Sequence, residues 1–514
     1  MKKGDECMSL IRVSDMTFCY EGSFDPVFEN VSISLDTNWK LGLIGRNGKG
    51  KTTFLRILEG ELSCSGSITA SVHFDYFPYS ITDESVAAAD LIDIWKPGTE
   101  LWRVCVELSD LKLDADILYR PISSLSFGER TKVMLAVLFS GENDFLLIDE
   151  PTNHLDRPGR DSIRDYLAKK KGFILVSHDR ELLDACADHM LVLNRASIEV
   201  QSGNFSSWWE NKERADAFAI AENEKHKREI DKLKAAADRA ARWADQNERT
   251  KIGFDPIKEP ERNISTRSYI GAKTKKMQSR VKATQGRIER EIAEKEGLLN
   301  DIERVENLKL NPLTHHKEVL IESRQLELCY RDAEKPVVSG LSFMLRRGER
   351  VCLSGGNGCG KSSVIRAVLK KTGRETKGSE GLSFRGELYT APEVKISYVS
   401  QDTSEVHGTL TEFAERNGVD YTLLLTLLSK LDLSSVQFSK DIGDYSEGQK
   451  KKVLIAASLI TPAHIYIWDE PLNYIDVFSR MQIEELIKKY NPTMLFVEHD
   501  QRFCDIIATK KIEL

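Results

Sequence analysis

The sequence has no apolar run near the roughly 20 residues that a helix needs to cross a bilayer, and its opening, MKKGDECMSL, lacks the apolar core of a secretion signal. These absences argue against a membrane domain and against export, so a cytoplasmic protein is expected. Nine cysteines, an odd number scattered from Cys7 to Cys504, make no CxxC pair and no cluster with histidine. Neither a disulfide framework nor a zinc site is indicated. Charge of one sign is missing too, but only locally. The chain is acidic as a whole, with 73 basic against 80 acidic side chains, yet RNISTRSYIGAKTKKMQSRVKATQGR at 262–287 holds eight Lys or Arg and no carboxylate. Hydrophobic content of 41% and charged content of 30% otherwise describe a soluble globular chain, and 514 residues exceed what one core usually holds. Roughly two or three domains follow. Met8 opens MSLIRVSDMTF, an alternative start, and the seven residues before it carry no motif.

What is present is said twice. A polar-flanked apolar strand, KLGLIG, runs into GRNGKGKT at 45–52, and RVCLSG runs into GGNGCGKS at 355–362. Both satisfy GxxxxGK[ST] between a strand and a helical pattern, the context which that motif requires. Glycines at 45, 48 and 50, and at 355, 358 and 360, let backbone N–H groups converge on phosphate oxygens, and the following helix N-terminus adds positive potential. Lys51 and Lys361 would reach the β- and γ-phosphates. Thr52 and Ser362 would offer hydroxyls to Mg²⁺, a hard cation that prefers oxygen. Asn47, Thr53, Asn357 and Ser363 complete the two loops.

Further along, LLID and YIWD read as buried strands ending in Asp149 and Asp469, each followed by Glu and Pro. The two Asp residues can hold Mg²⁺ through water, and Glu150 and Glu470 stand where an attacking water would be polarised. FILVSHD and MLFVEHD bring His178 and His499, candidate γ-phosphate contacts, 28 and 29 positions after those glutamates. Taken singly, each feature is more simply a glycine-rich turn, a structural acid or a satisfied histidine. Their recurrence in one order outweighs that reading.

LSFGER at 125–130 and YSEGQK at 445–450 lie between loop and acidic strand, and each serine precedes its glutamate by 24 positions. These resemble the signature motif of the ATP-binding cassette superfamily, and PTNHLD and PLNYID resemble its D-loops. The resemblance implies an α/β fold of two P-loop cassettes set head to tail, with ATP between the phosphate loop of one and the signature of the other. Site one would combine Lys51, Thr52, Asp149, Glu150 and His178 with Ser446 and Gly448. Site two would combine Lys361, Ser362, Asp469, Glu470 and His499 with Ser126 and Gly128. Tyr20 and Tyr330, each 25 positions before the first loop glycine, resemble the family's adenine-stacking aromatics. Two departures stand out. Laying FDYFPYS beside KISYVSQ sets Tyr79 opposite Gln401, so only the second half carries the glutamine that members use as a Mg²⁺ ligand. Phe127 and Glu447 occupy a signature position where glycine is commonest.

From about Trp208 to about Leu310 the pattern becomes long helix, interrupted by Gly253, Pro256 and Pro260, which predicts a helical hairpin. Arms of some forty residues would each project roughly 60 Å. The expected division is 8–207 for the first cassette, 208–316 for the hairpin with its tip at about 245–287, and 317–514 for the second cassette. Residues 211–310 hold 24 basic and 19 acidic side chains, and the excess is concentrated in the tip. A solvated spacer explains the arms near the cassettes. Cations without carboxylates suit a polyphosphate surface better, with Arg262, Arg267, Lys273, Lys275, Lys276, Arg280, Lys282 and Arg287 as contacts and Tyr269 able to stack.

Two cassettes, no membrane domain and a charged hairpin between them resemble the ABC-F family of ribosome-binding ATPases. Lys51 and Ser126 are 75 residues apart, against 85 for Lys361 and Ser446, which leaves the first half no room for the inserted arm of the housekeeping factors. With no basic extension after Leu514, the resemblance is strongest to the antibiotic-resistance subgroup of the Lsa or Vga kind. It implies ATP and Mg²⁺ as cofactors and the ribosome as partner, through 23S rRNA near the peptidyl-transferase centre and P-site tRNA, with no DNA and no membrane partner. It further implies binding at the E site and displacement of lincosamides, streptogramin A compounds and pleuromutilins. A housekeeping translation factor, the ATPase subunit of a drug exporter and an inert clamp are the alternatives.

Overall fold

The computed structural model describes residues 9–21, 26–142, 144–153, 155–194, 197–249, 287, 310–331 and 335–514. It divides into two compact units, Met1–Trp208 with Val305–Leu514, and Trp209–Arg304.

The first unit repeats one α/β design. In the first half, β1 (Leu10–Phe18), β2 (Phe28–Asp36) and β4 (Ser65–Thr69) form an antiparallel sheet in the order β2-β1-β4. The alternating burial along β2 is what a sheet with one wet face requires. A six-stranded sheet stands beside it in the order β5-β6-β7-β3-β8-β9, built from β3 (Lys40–Gly45), β5 (His73–Phe77), β6 (Asp144–Asp149), β7 (Phe173–Val176), β8 (His189–Leu193) and β9 (Ile198–Ser202). All its pairs are parallel except β8 with β9. The four residues of β7, FILV, are buried throughout, as expected of a parallel strand covered on both faces.

The second half has the sheet β11-β10-β13, from β10 (Val319–Tyr330), β11 (Val338–Arg346) and β13 (Leu382–Thr390). Its parallel sheet runs β14-β15-β16-β12-β17, from β12 (Arg350–Ser354), β14 (Ile396–Val399), β15 (Ile465–Asp469), β16 (Met494–Val497) and β17 (Lys510–Glu513). In both halves the phosphate-loop strand lies beside the strand that leads to the His-Asp pair, and that strand lies beside the acidic one. Three chemistry-bearing strand ends therefore meet at one sheet edge, where open α/β folds bind ligands.

Residues 310–316, expected in the hairpin, sit with the second cassette. Leu310 lies in its core, Leu313 N–H donates to Ala463 O at 2.8 Å, and the His315 ring pairs with Pro392 O at 3.0 Å. The helix Phe205–Arg249 runs unbroken for 45 residues, about 67 Å at 1.5 Å per residue. The expected interruption at Gly253, Pro256 and Pro260 lies outside the described residues.

Candidate nucleotide sites

Each phosphate loop turns through residues that only glycine adopts easily. Gly48 and Gly50 have φ of 80° and 88°, Gly358 and Gly360 have 79° and 98°, and a Cβ on Gly50 or Gly360 would strike Val27 or Val338. The helices Lys51–Glu59 and Lys361–Lys371 start there, so their free N–H groups face the loop. Lys51 Nζ folds back onto Gly45 O (2.7 Å), Arg46 O (3.3 Å) and Asn47 Oδ1 (3.3 Å), and Lys361 Nζ onto Gly355 O (2.9 Å) and Gly356 O (2.8 Å). Burial lowers the Lys51 ammonium below its ordinary pKa, against the raising effect of Asp476, Glu150 and Asp149. Tyr20 OH pairs with Thr53 Oγ1 at 2.6 Å and Tyr330 OH with Ser363 Oγ at 3.1 Å, and about half of the Tyr20 side chain stays exposed.

Thr52 Oγ1 donates to Asp149 Oδ2 at 2.7 Å, and Ser362 Oγ to Asp469 Oδ1 at 3.0 Å. Each site thus offers a hydroxyl and a carboxylate oxygen at one point. Burial pushes the Asp469 carboxyl up to about 6 and raises Asp149 as well, so both places favour a cation that would keep the carboxylate charged. No cluster of three or more His, Cys, Asp or Glu suited to a metal occurs among the described residues. Any cation here would take its remaining ligands from phosphate and water.

Glu150 and Glu470 share a left-handed backbone, with φ of 51° and 47°, which is costly for a non-glycine residue. The neighbouring strand holds them in it, since their N–H groups donate to Val176 O (2.9 Å) and Val497 O (3.0 Å). Beyond the backbone the two differ. Glu470 accepts from Gln401 Nε2 (2.8 Å) and Asn473 Nδ2 (2.9 Å) and meets His499 Nε2 at 3.1 Å. Although burial pushes its carboxyl up, the His499 contact and Lys361 hold it below the ordinary range. Glu150 accepts from the His178 backbone N–H at 3.3 Å, while its Oε1, 3.3 Å from His178 Nε2, makes no hydrogen bond among the described residues. Burial and the neighbouring Asp149 push its carboxyl up to about 8, and burial and Lys51 hold His178 well below its usual value.

The strand register explains part of this. Phe77 pairs with Ile148 and Val399 with Trp468, the residues before the two strand-end acids, so Tyr79 does stand opposite Gln401. Matching the two strings letter for letter would have put Ser80 there. Tyr79 turns away, donating its OH to Asp75 Oδ2 at 2.8 Å and stacking on Trp95 at 5.3 Å. Gln401, expected to serve a metal, hydrogen-bonds Glu470 in this structure.

The two halves meet head to tail. Asn47 Nδ2 in the first phosphate loop donates to Tyr474 O in the second D-loop at 2.7 Å. A Cβ on Gly448 would lie 2.5 Å from that same carbonyl and 3.2 Å from Asn47 Nδ2. The second signature therefore faces the first phosphate loop. Asp156 of the first D-loop lies 4.0 Å from a Cβ placed on Gly356, which brings the complementary pieces together as well. Ser126 and Ser446 cap the signature helices Phe127–Leu138 and Glu447–Ile460 through reciprocal bonds with Glu129 and Gln449. Phe127 is exposed, and Glu447 accepts a short hydrogen bond from Thr403, so neither departure intrudes on the serine or on Gly128 and Gly448.

Sequence reasoning missed the residues that join the halves. Arg180 is buried in a two-pronged contact with Glu484, and Arg480 donates to His178 O (3.1 Å), Leu472 O (3.0 Å) and Asp500 (2.9 Å). Arg180 follows the His-Asp pair and Arg480 lies four residues after the D-loop aspartate, positions that were available to inspection but match no motif. Of the expected RNA contacts only Arg287 is described, helical and exposed. Arg262, Arg267, Tyr269, Lys273, Lys275, Lys276, Arg280 and Lys282 lie outside the described residues.

Two phosphate loops, each set against the other half's signature or D-loop, define a tandem ATP-binding cassette ATPase. The chain belongs to the ABC transporter family, whose profile matches residues 28–153 and 338–473. Two cassettes in one chain and, among the described residues, no helix long and apolar enough to cross a membrane give it the ABC-F arrangement. It is 26% identical to the ribosome protection protein VmlR of Bacillus subtilis (strain 168), over 99% of this chain and 86% of that one. It is 24% identical to the ATP-binding protein Uup of Escherichia coli (strain K12), over 98% and 80%. Its fold matches that of the archaeal ribosome recycling factor aABCE1, solved in complex with ribosomal stalk protein aP1, with a TM-score of 0.58 at 18% identity over 97% and 87% of the chains.

Proposed function

We propose that the protein is an ATP-driven ribosome-binding factor that protects translation from drugs acting near the peptidyl-transferase centre. The observation that carries the ATP-dependent part is the contact of Asn47 with Tyr474 beside Gly448. A nucleotide on Lys51 would meet the Ser446 helix N-terminus only when the halves are closed, so ATP favours the closed form and its hydrolysis releases it. Lys51 and Lys361 bind the phosphates, Tyr20 and Tyr330 stack the base, and Glu150 and Glu470 stand where an attacking water would lie, with His178 and His499 beside them and Glu470 the one held as a carboxylate. The oxygen pairs Thr52–Asp149 and Ser362–Asp469 fit Mg²⁺, which when bound would offset phosphate charge.

The ribosome enters through the similarity to VmlR over nearly the whole chain and through the carboxylate-free stretch 262–287. Protection at the E site against lincosamides, streptogramin A compounds and pleuromutilins is the finer form of this reading. A housekeeping translation factor is the second reading, favoured by the comparable identity to Uup. Cell-free translation challenged with each drug class tests both. Restored synthesis on adding the protein with ATP supports protection, and no restoration for any class refutes it.

A further inference from the structure

The composite sites share motifs but not supports. Three side chains reach the Glu470 carboxylate, those of Gln401, Asn473 and His499. At Glu150 the side chain opposite Gln401 is Tyr79, which is committed to Asp75 and Trp95, and among the described residues one carboxylate oxygen has no hydrogen-bond partner, His178 Nε2 lying 3.3 Å from it.

A second difference lies under the glutamates. Lys451, fully buried on the second signature helix, donates to Ser400 O at 2.7 Å and to Glu470 O at 3.3 Å. It ties the backbone just before Gln401 to the backbone of Glu470. Thr403, two residues after Gln401, holds Glu447 on the same helix. Five residues after the first signature serine stands Thr131, whose hydroxyl is engaged by Phe127 O of its own helix at 3.0 Å. It cannot reach across in the same way. A lysine in the low-dielectric interior that spends its protons on two carbonyls fixes their spacing more firmly than a neutral donor would.

The seam between the halves is unequal as well. Arg180 and Glu484 make their buried pair beside His178. The residues in the corresponding places on the other edge are Gln501, second after His499, and Arg164, eighth after Asp156. These have no opposite charges to join, and with Arg160, Asp179 and His499 they line a polar cavity of about 190 Å³.

We propose that the two sites divide the work: site two turns ATP over, with Lys451 as the positioning residue for Glu470, while site one retains ATP and forms the lasting edge of the clasp. The inference rests on ATP hydrolysis by the cassettes and does not depend on the ribosome.

The test compares Glu470→Gln with Glu150→Gln, and Lys451→Thr with Lys451→Arg, in the full-length protein. Turnover is read together with the ATP and ADP that stay on the chain after rapid gel filtration. Glu470→Gln should lower kcat at least about tenfold more than Glu150→Gln does. Wild type should emerge with ATP, not ADP, on about half of its sites, and Glu470→Gln with ATP on nearly all. Lys451→Thr should lower kcat roughly tenfold or more with little change in KM, and Lys451→Arg should recover much of the loss. Equal losses for the two glutamate variants, or wild type retaining ADP alone, would overturn the division. A Lys451→Thr effect confined to KM, or no rescue by arginine, would overturn the role of the lysine. If Lys451→Thr fails to fold, the glutamate pair still decides.

Discussion

The first and second halves carry the same motifs in the same order, yet among the described residues one Glu150 oxygen has only the 3.3 Å contact with His178 Nε2 and no hydrogen bond, while Glu470 is held by three side chains. Asn473 and His499 have the same residues opposite them, Asn153 and His178, so the sequence differs at Tyr79 against Gln401 and at Thr131 against Lys451. A motif brings a group to the edge of a sheet, and its neighbours decide how tightly the group is held once there.

The largest effect should come from removing the comparison altogether. Glu150→Gln with Glu470→Gln should cut ATP turnover by roughly a hundredfold or more while leaving ATP bound, read by steady-state phosphate release and filter binding. Truncating one partner of the unequal seam comes next. Glu484→Ala takes away the two-pronged carboxylate of buried Arg180 and leaves it only Asp500 at 4.0 Å, so unfolding should move down by about 3 kcal/mol, whereas Arg164→Ala at the equivalent place should cost under about 1 kcal/mol in urea titrations. A smaller effect is expected from Tyr79→Gln. Restoring the glutamine in site one should raise single-site turnover a few-fold in a Glu470→Gln background, and no gain would mean that Tyr79 does not explain the difference. Smallest for the cassettes is neutralising Lys273, Lys275 and Lys276. ATP binding should be unchanged, while the slope of log affinity for ribosomes against log salt should fall by about 2 to 3.

Both phosphate loops, both acidic strand ends and both signatures were legible because each depends on spacing along the chain, and glycine at 50 or serine at 446 leaves little latitude. The buried strands were legible in LLID and YIWD, whose apolar runs need cover on both faces. Arg180, Glu484 and Lys451 were not legible, because an arginine, a glutamate or a lysine on a helix is ordinarily solvated. Only the packing of one half on the other, or of a helix on the strand beneath it, takes these charges out of water. Residues 310–316 misled for a related reason, since Leu310 reads as the end of a helical arm until the second core closes over it.

The central claim is that ATP shuts the clasp and that the shut clasp holds the ribosome. Co-sedimentation of the Glu150→Gln, Glu470→Gln protein with ribosomes tests it most directly. Retention with ATP and release without nucleotide is the predicted result, and equal sedimentation in both conditions, or none in either, would contradict it.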